Sequence, residues 1–533
     1  MFNDRCAAQV AMSAILLFAA SCFSQTPVGW PYAGNTLTNS RWAQAESILN
    51  NQNVGGLAVK WQFTTHNDVS ATPSVDATGG YVYFPDWSGY LYKLNAATGD
   101  TVWKRKMTDY GLSSEVMSRT TPALYGPMVV IGASSSLAKP SPDGAYLMAL
   151  NASNGGLLWK TALDPNPNSL ATGSPIIYGG VVYVGVSSSE EDLIDPSFRG
   201  SLVAVSLANG QILWQTYFVP DGYTGAPVWS STPAIDVKRS QIYVTTGNNY
   251  LVPPSVQLCE QAANGNSQAI LACQAANNYE DSIVALDLAT GNVKWGHRCS
   301  ADDAWLTACN QQASTCPDPA GPDYDFGSGA NLFTAPINGV PTALVGAGQK
   351  SGVYWALSPK NGALVWATLV GPGGMVGGMQ WGTASDNQRI YVAISNAGQK
   401  PYTLQPSGVS WNGGSWAALD PATGAILWQV PDPGMSTVHE DHHALAMGPV
   451  TVANGVVYVA SMSGYMYALD AATGATLWSF EAPGSVNAAP AVVNGSLYWG
   501  TGYHNFPAVN PLGTASNLFY AFSLPAGSAK GHK

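Results

Sequence analysis

Charge is scarce in this sequence: only 10% of its residues are Asp, Glu, Lys or Arg, and the basic ones form no extended run. With a formal net charge of −11, non-specific phosphate binding has little to stand on, which argues against nucleic acid as a partner. Long hydrophobic runs are equally rare. The one candidate, Ala7 to Ala20 after Arg5, is too short to span a bilayer comfortably and reads as the core of a signal peptide over 1–24. Cleavage fits after Ser21 or Ser24. Cys22 stands where a lipoprotein cysteine would, although Ala19-Ala20-Ser21 is a poor lipobox. Cysteine is sparse, with seven in all, and no C-x-x-C occurs, so the usual zinc spacings and a covalent c-type haem are both missing. Two cysteines fall in the leader, leaving Cys259, Cys273, Cys299, Cys309 and Cys316 in an oxidising compartment. Sequence proximity favours Cys259 with Cys273 and Cys309 with Cys316; other pairings are open, and one cysteine must stay free.

What is abundant is Gly, Pro, Trp and Tyr, with 57, 35, 18 and 25 copies. In a chain of 533 residues that composition suggests many strands and turns and few surface helices. A phrase recurs: LYKLNAATGDTVW ends at Trp103, LMALNASNGGLLW at Trp159, LVAVSLANGQILW at Trp214 and IVALDLATGNVKW at Trp295. YWALSPKNGALVW, WAALDPATGAILW and MYALDAATGATLW follow, ending at Trp366, Trp428 and Trp478. Each copy is a strand, a tight turn ending in Gly, and a second strand closed by Trp, which is a hairpin. Phrases such as GSPIIYGGVVYVG between the copies add two more strands, so each unit predicts a four-stranded propeller blade. Seven phrases leave two fragments, LAVKWQF with Trp61 and NLFYAFSL near the end, which together make an eighth blade and leave no open edge. The fold class is therefore all-β, an eight-bladed β-propeller over 25–524, with a disordered tail at 525–533. The repeat tryptophans read as wedges between blades.

Five segments break the pattern with polar residues. VSSSEEDLIDPSFRG carries Ser187, Ser188, Ser189, Glu190 and Glu191; TTGNNY ends a strand at Asn248; GPDYDFGSG carries Asp323 and Asp325. GQKSGVYWAL places Lys350 at the end of an apolar strand, where a cation needs an anionic partner, and SSEVMSRTTPAL sets Arg119 before a blade strand. Each alone is explained by a turn or a solvated loop.

Together and in chain order they resemble the active site of pyrroloquinoline quinone (PQQ) dependent alcohol dehydrogenases, especially the polyvinyl alcohol dehydrogenase branch. The resemblance runs from about Trp30 to Leu524. It implies a cofactor loop at Ser187, Ser188 and Ser189, and metal ligands Glu190 (preferred to Glu191), Asn248 and Asp325. Asp325 is also implied as catalytic base, with Lys350 on the quinone oxygens and Arg119 on a cofactor carboxylate. Trp229, in GAPVWSSTPAID, matches the Trp on which the cofactor stacks, and Thr172, Trp381 and Asn396 match further pocket positions. Two departures matter. Ser113-Ser114 stands where the family often has a vicinal Cys-Cys, and Gly327 stands where lanthanide-using relatives carry a second Asp, so calcium is the expected ion. Two carboxylates and an amide oxygen are hard ligands suited to calcium. An alcohol substrate, secondary or polymeric, and a separate cytochrome c acceptor are the implied partners.

His439-Glu440-Asp441-His442-His443 satisfies H-E-x-x-H, but it lies between PDPGMST and a strand, where a helix is not expected. The Gly-rich run 371–379 has no P-loop Lys. The competing reading is a non-catalytic propeller that scaffolds periplasmic or outer-membrane protein assembly, since fold does not fix function. A lectin-like propeller using exposed aromatics is a third.

Overall fold

The computed structural model describes residues 28–525 except 136–142, 231, 312 and 506–511. The expected signal peptide and nearly all of the expected tail lie outside the described residues.

Eight sheets of four principal strands follow one another along the chain. The first blade is Ser74–Val75, Tyr81–Pro85, Tyr90–Asn95 and Thr101–Lys106. In most blades the first strand is buried and the last is largely exposed or half-buried, so the first strands face the axis and the last face solvent. The eighth blade takes Ala491–Val493, Ser496–Gly500 and Leu518–Ser523 from the end of the chain and Ala58–Thr64 from its beginning. Trp61 pairs with Ala521 and Phe63 with Phe519, which closes the ring as the two fragments predict.

The repeat phrase has a physical explanation at each joint. Asn95, Asp287, Asp420 and Asp470 open the hairpin turn by accepting backbone N–H groups two and three residues on. The turn then reaches a Gly at positive φ, such as Gly99 (+79°) or Gly210 (+76°). A Cβ on either would stand 2.8 Å from the indole of the preceding blade, Trp61 or Trp159. That indole donates its N–H to the carbonyl of the next blade's turn: Trp61 to Ala96, Trp103 to Ala152, Trp159 to Leu207, Trp295 to Pro359, Trp366 to Pro421 and Trp428 to Ala471. Trp478 completes the circuit on Leu57 of the closing blade. The tryptophans are thus inter-blade wedges whose one polar atom is satisfied across the joint.

A second ring closes the axis. Beyond the lead-ins to the innermost strands, the segment 30–46 runs beneath the blades in order. Trp30 bridges Val75 of the first, the Pro31 carbonyl accepts from Leu124 of the second, and Tyr32 Oη donates to Ile177 of the third. The carbonyls of Leu37, Thr38, Ser40 and Arg41 accept from Ile235, Leu332, Ser385 and Val452 of the fourth to seventh. Glu46 accepts from Gly495 of the eighth.

Between strands Gln241–Thr245 and Ser282–Asp287 the fourth blade carries two short helices, Pro254–Ala263 and Ser267–Cys273, tied by the Cys259–Cys273 disulfide. Cys309 pairs with Cys316, and Cys299 is free, in agreement with the pairing favoured by proximity. Among the described residues no helix is long and apolar enough to cross a membrane. The 439–443 stretch is a turn, not a helix, so its histidines share no helical face.

Candidate active site

The polar interruptions converge at one end of the axis. Strand Val340–Gly348 delivers Lys350, whose Nζ lies 2.8 Å from Asp323 Oδ1 and 3.0 Å from Asp325 Oδ2. All three side chains are buried. Asp323 and the intervening Tyr324 are held by their backbone N–H groups on the carboxylate of Asp303, which is itself fully buried. Asp325 accepts from the Asn248 N–H at 2.5 Å. Gly247 is obligatory there, because a Cβ would collide with the Asp325 carboxylate. Burial opposes the Lys350 charge, but Asp323, Asp325 and Glu191 together hold its pKa above the ordinary lysine range.

Glu191 completes the group: one oxygen from each of Glu191, Asp323 and Asp325 lies within 4.8 Å of the others. Burial first, then repulsion from Asp325, pushes Glu191 up to about 8 against the pull of Lys350. Here the geometry departs from the expectation that Glu190 faces the metal. The Ser188–Glu190 bend puts the two glutamates on opposite sides. Glu190 points into the inserted loop, where it accepts the N–H groups of Ser197 and Phe198 and the amides of Asn166 and Asn168. Glu191 points into the chamber with Oε1 buried and without a partner.

The chamber, about 150 Å3, is lined by Arg119, Ser187, Ser188, Glu191, Trp229, Asp323, Asp325 and Lys350, with Leu170, Trp305, Met375 and Val376 as apolar wall. Asn248 borders it through Asp325. Its Nδ2 donates to the carbonyls of Asn249 and Trp305, leaving Oδ1 buried and without a partner. Lys350 Nζ stands 4.9 Å above the Trp229 ring. A second chamber of about 70 Å3 adjoins the first: Arg119 lines both, and Trp229 meets Trp381 edge-on at 5.2 Å between them. Thr172 and Trp381 line this second space, and Thr172 donates to the Trp229 carbonyl.

Two expected residues stand elsewhere. Ser189 turns to the Asn168 carbonyl, outside both chambers. Asn396, at φ +51°, spends its amide on the carbonyls of Lys400 and Asn412 and on the Lys400 N–H, tying a surface loop. Ser113 and Ser114 line neither chamber. Asp303 carried no signal in the sequence, lying in an insertion outside every repeat. Asp323 resembled a turn residue, and its positive φ of +58° is what brings it to Lys350.

The fold and this axial cluster define a class. The sequence model described as outer membrane protein assembly factor BamB matches residues 51–297 and 412–515, more than half of the chain, and the chain belongs to that family. Among individual proteins it is similar to the polyvinylalcohol dehydrogenases of a Pseudomonas sp. and of Sphingopyxis sp. strain 113P3. Each is 29% identical, over 83% and 78% of this chain and 65% and 70% of theirs. The chain therefore spans about two thirds of the length of these relatives. The quinohemoprotein alcohol dehydrogenase of Comamonas testosteroni shares the fold, with a TM-score of 0.66, 20% identity and coverage of 95% of this chain and 82% of that one.

Proposed function

We propose that the protein is an exported alcohol dehydrogenase whose axial chamber holds PQQ and one calcium ion. The observation that carries this reading is the buried group of Glu191, Asp323, Asp325 and Lys350 beside an orphaned amide oxygen at Asn248. Three carboxylates crowded within reach of one another, beside the open Asn248 Oδ1, form an oxygen-rich cluster of the kind a hard divalent ion would fill. Glu191, Asp325 and Asn248 Oδ1 are the atoms that would hold it. Gly327 leaves no room for a further acid, since a Cβ there would collide with the Gln380 carbonyl. Calcium is favoured over a lanthanide on that ground.

PQQ supplies the two-electron acceptor that no side chain can provide. The residues do the rest. Asp325 receives the alcohol proton, and Lys350 stabilises negative charge as it develops on the acceptor oxygen. Trp229 offers a flat face beneath Lys350, and Arg119 with Thr172 and Trp381 meets the carboxylate-bearing end. The apolar wall of Leu170, Trp305, Met375 and Val376 suits the carbon skeleton of a secondary or polymeric alcohol. The electrons pass to a separate cytochrome c. In this reading 1–24 is removed on export and 25–524 is the catalytic propeller.

The family's description as an assembly factor favours one second reading, a non-catalytic scaffold. Titration of the apoprotein with PQQ and calcium decides between them. Stoichiometric binding with alcohol-dependent dye reduction is expected, and Asp325→Asn should lower turnover by roughly a hundredfold to ten-thousandfold while the cofactor still binds. Absence of binding with or without metal would overturn the dehydrogenase and leave the scaffold.

A further inference from the structure

The second chamber has an occupant's chemistry of its own. Its walls are the lead-ins to the innermost strands of every blade but the fifth, so it lies on the propeller axis. Its floor is Arg41, delivered by the segment that circles the axis. Arg41 adopts a left-handed backbone (φ +50°) and is 6% exposed. Gly382 makes room for it, since a Cβ there would stand 2.7 Å from Arg41 Nε.

A guanidinium carries five N–H donors and keeps its charge at any physiological pH. Among the described residues the Arg41 side chain gives one long bond, Nη1 to Thr72 Oγ1 at 3.4 Å. Among the described residues no carboxylate pairs with it. A buried cation without a counter-charge is costly, so the structure calls for an anion at this place.

The surrounding hydroxyls are poised the same way. Ser70 Oγ accepts from the Trp87 indole, Ser174 Oγ from the Thr121 N–H and Thr72 Oγ1 from Arg41. Their acceptor side is engaged, and their own protons are left to donate. The space of about 70 Å3 is ample for a carboxylate group or a monatomic anion.

We propose that Arg41, with Thr72 and the Ser70 and Ser174 hydroxyls, forms an axial anion site that takes a carboxylate of the quinone cofactor or a free halide. The carboxylate source rests on the dehydrogenase reading above; the halide source does not.

Two measurements on the full chain test this. In the first, the apoprotein is melted at constant ionic strength while methanesulfonate is exchanged for bromide. A free halide at Arg41 raises the midpoint saturably by a few degrees in the wild type and not in Arg41→Gln. In the second, PQQ is titrated by quenching of tryptophan fluorescence. A cofactor carboxylate at Arg41 weakens PQQ at least tenfold in Arg41→Gln and less in Arg41→Lys. Bromide that competes with PQQ assigns both anions to the one site. If Arg41→Gln does not fold, Thr72→Val carries the same comparisons at smaller amplitude. Failure of PQQ to bind the wild type sinks the dehydrogenase and leaves the bromide arm standing. The anion site is overturned if the bromide response and PQQ affinity are both unchanged in the variants.

Discussion

The outer belt and the axial chambers of this propeller are built from the same blades under opposite rules. In the belt most joints repeat one device, a tryptophan N–H on the next turn's carbonyl above a glycine that cannot carry a Cβ. In the larger axial chamber the charged residues follow no repeat: the third blade sends Glu191, a connection sends Asp323 and Asp325, and the fifth sends Lys350. Repetition secures the ring, and departures from repetition carry the chemistry. The wedge indoles named above are satisfied, whereas at the axis Glu191 Oε1 and Asn248 Oδ1 are left buried and open. This is the pattern expected where stability is surrendered locally to function.

Trp428→Ala removes a buried wedge and its cross-joint hydrogen bond, and should cost about 3–5 kcal/mol in urea unfolding. PQQ affinity should not change if belt and axis are separable. The two adjacent glutamates sharpen the axial side. Glu191→Gln should weaken calcium by roughly tenfold to a hundredfold, about 1.4–2.7 kcal/mol, with stability held. Glu190→Gln should do the reverse, costing about 1–3 kcal/mol because an amide N–H replaces one of the two oxygens that accept from Ser197, Phe198, Asn166 and Asn168, and leaving calcium affinity alone. Isothermal titration and chemical denaturation separate these outcomes, and an exchange of the two phenotypes would restore Glu190 as the ligand.

A smaller effect comes from Glu280, at the edge of the axial region. It is fully buried, and burial lifts it to about 8 in spite of Arg298. The folded protein then keeps a proton that the unfolded chain gives up near the ordinary glutamate value of 4.5. Its contribution to stability is whole below that value and is lost as pH rises through about 8. Glu280→Gln should flatten this decline, which is at most about 1.4 kcal/mol per pH unit; denaturation midpoints at pH 6 and pH 8.5 check it. The smallest effect belongs to the surface pair Arg199–Asp221, with Asp221 almost wholly exposed. Asp221→Ala should move stability by no more than about 1 kcal/mol, and less at high salt.

The belt was legible in the sequence because its residues recur: strand, turn glycine and tryptophan announce one another, and the two orphan fragments can only pair together. The cysteine pairs were legible for a related reason, since both close short loops. At the axis, the need of Lys350 for an acid could be read because an isolated cation ending an apolar strand demands one, whereas Asp325 stood out only through the family resemblance. The choice between Glu190 and Glu191 could not, because a single 3-10 turn decides which of two neighbours faces inward. Asn396 and Ser189 match pocket positions by resemblance, but their polar atoms are taken up by neighbouring loop backbone and neither lines a chamber. Arg41 gave no sign, as its direction depends on a left-handed backbone that an arginine seldom adopts.

The circular course of the segment 30–64 also sets a timetable. Its last strand, Ala58–Thr64, is made early, yet the hydrogen bond from Thr65 to Asn517 joins residues 452 positions apart. The ring therefore stays open until Leu518–Ser523 has been made, and closure is the slow, non-local step. Until then Ala58–Thr64 is an unpaired strand, and Lys60 near its middle is the kind of charge that discourages pairing with the wrong chain. A chain stopped before residue 518 would hold most blades and every chamber-lining residue, but its circle would have no latch.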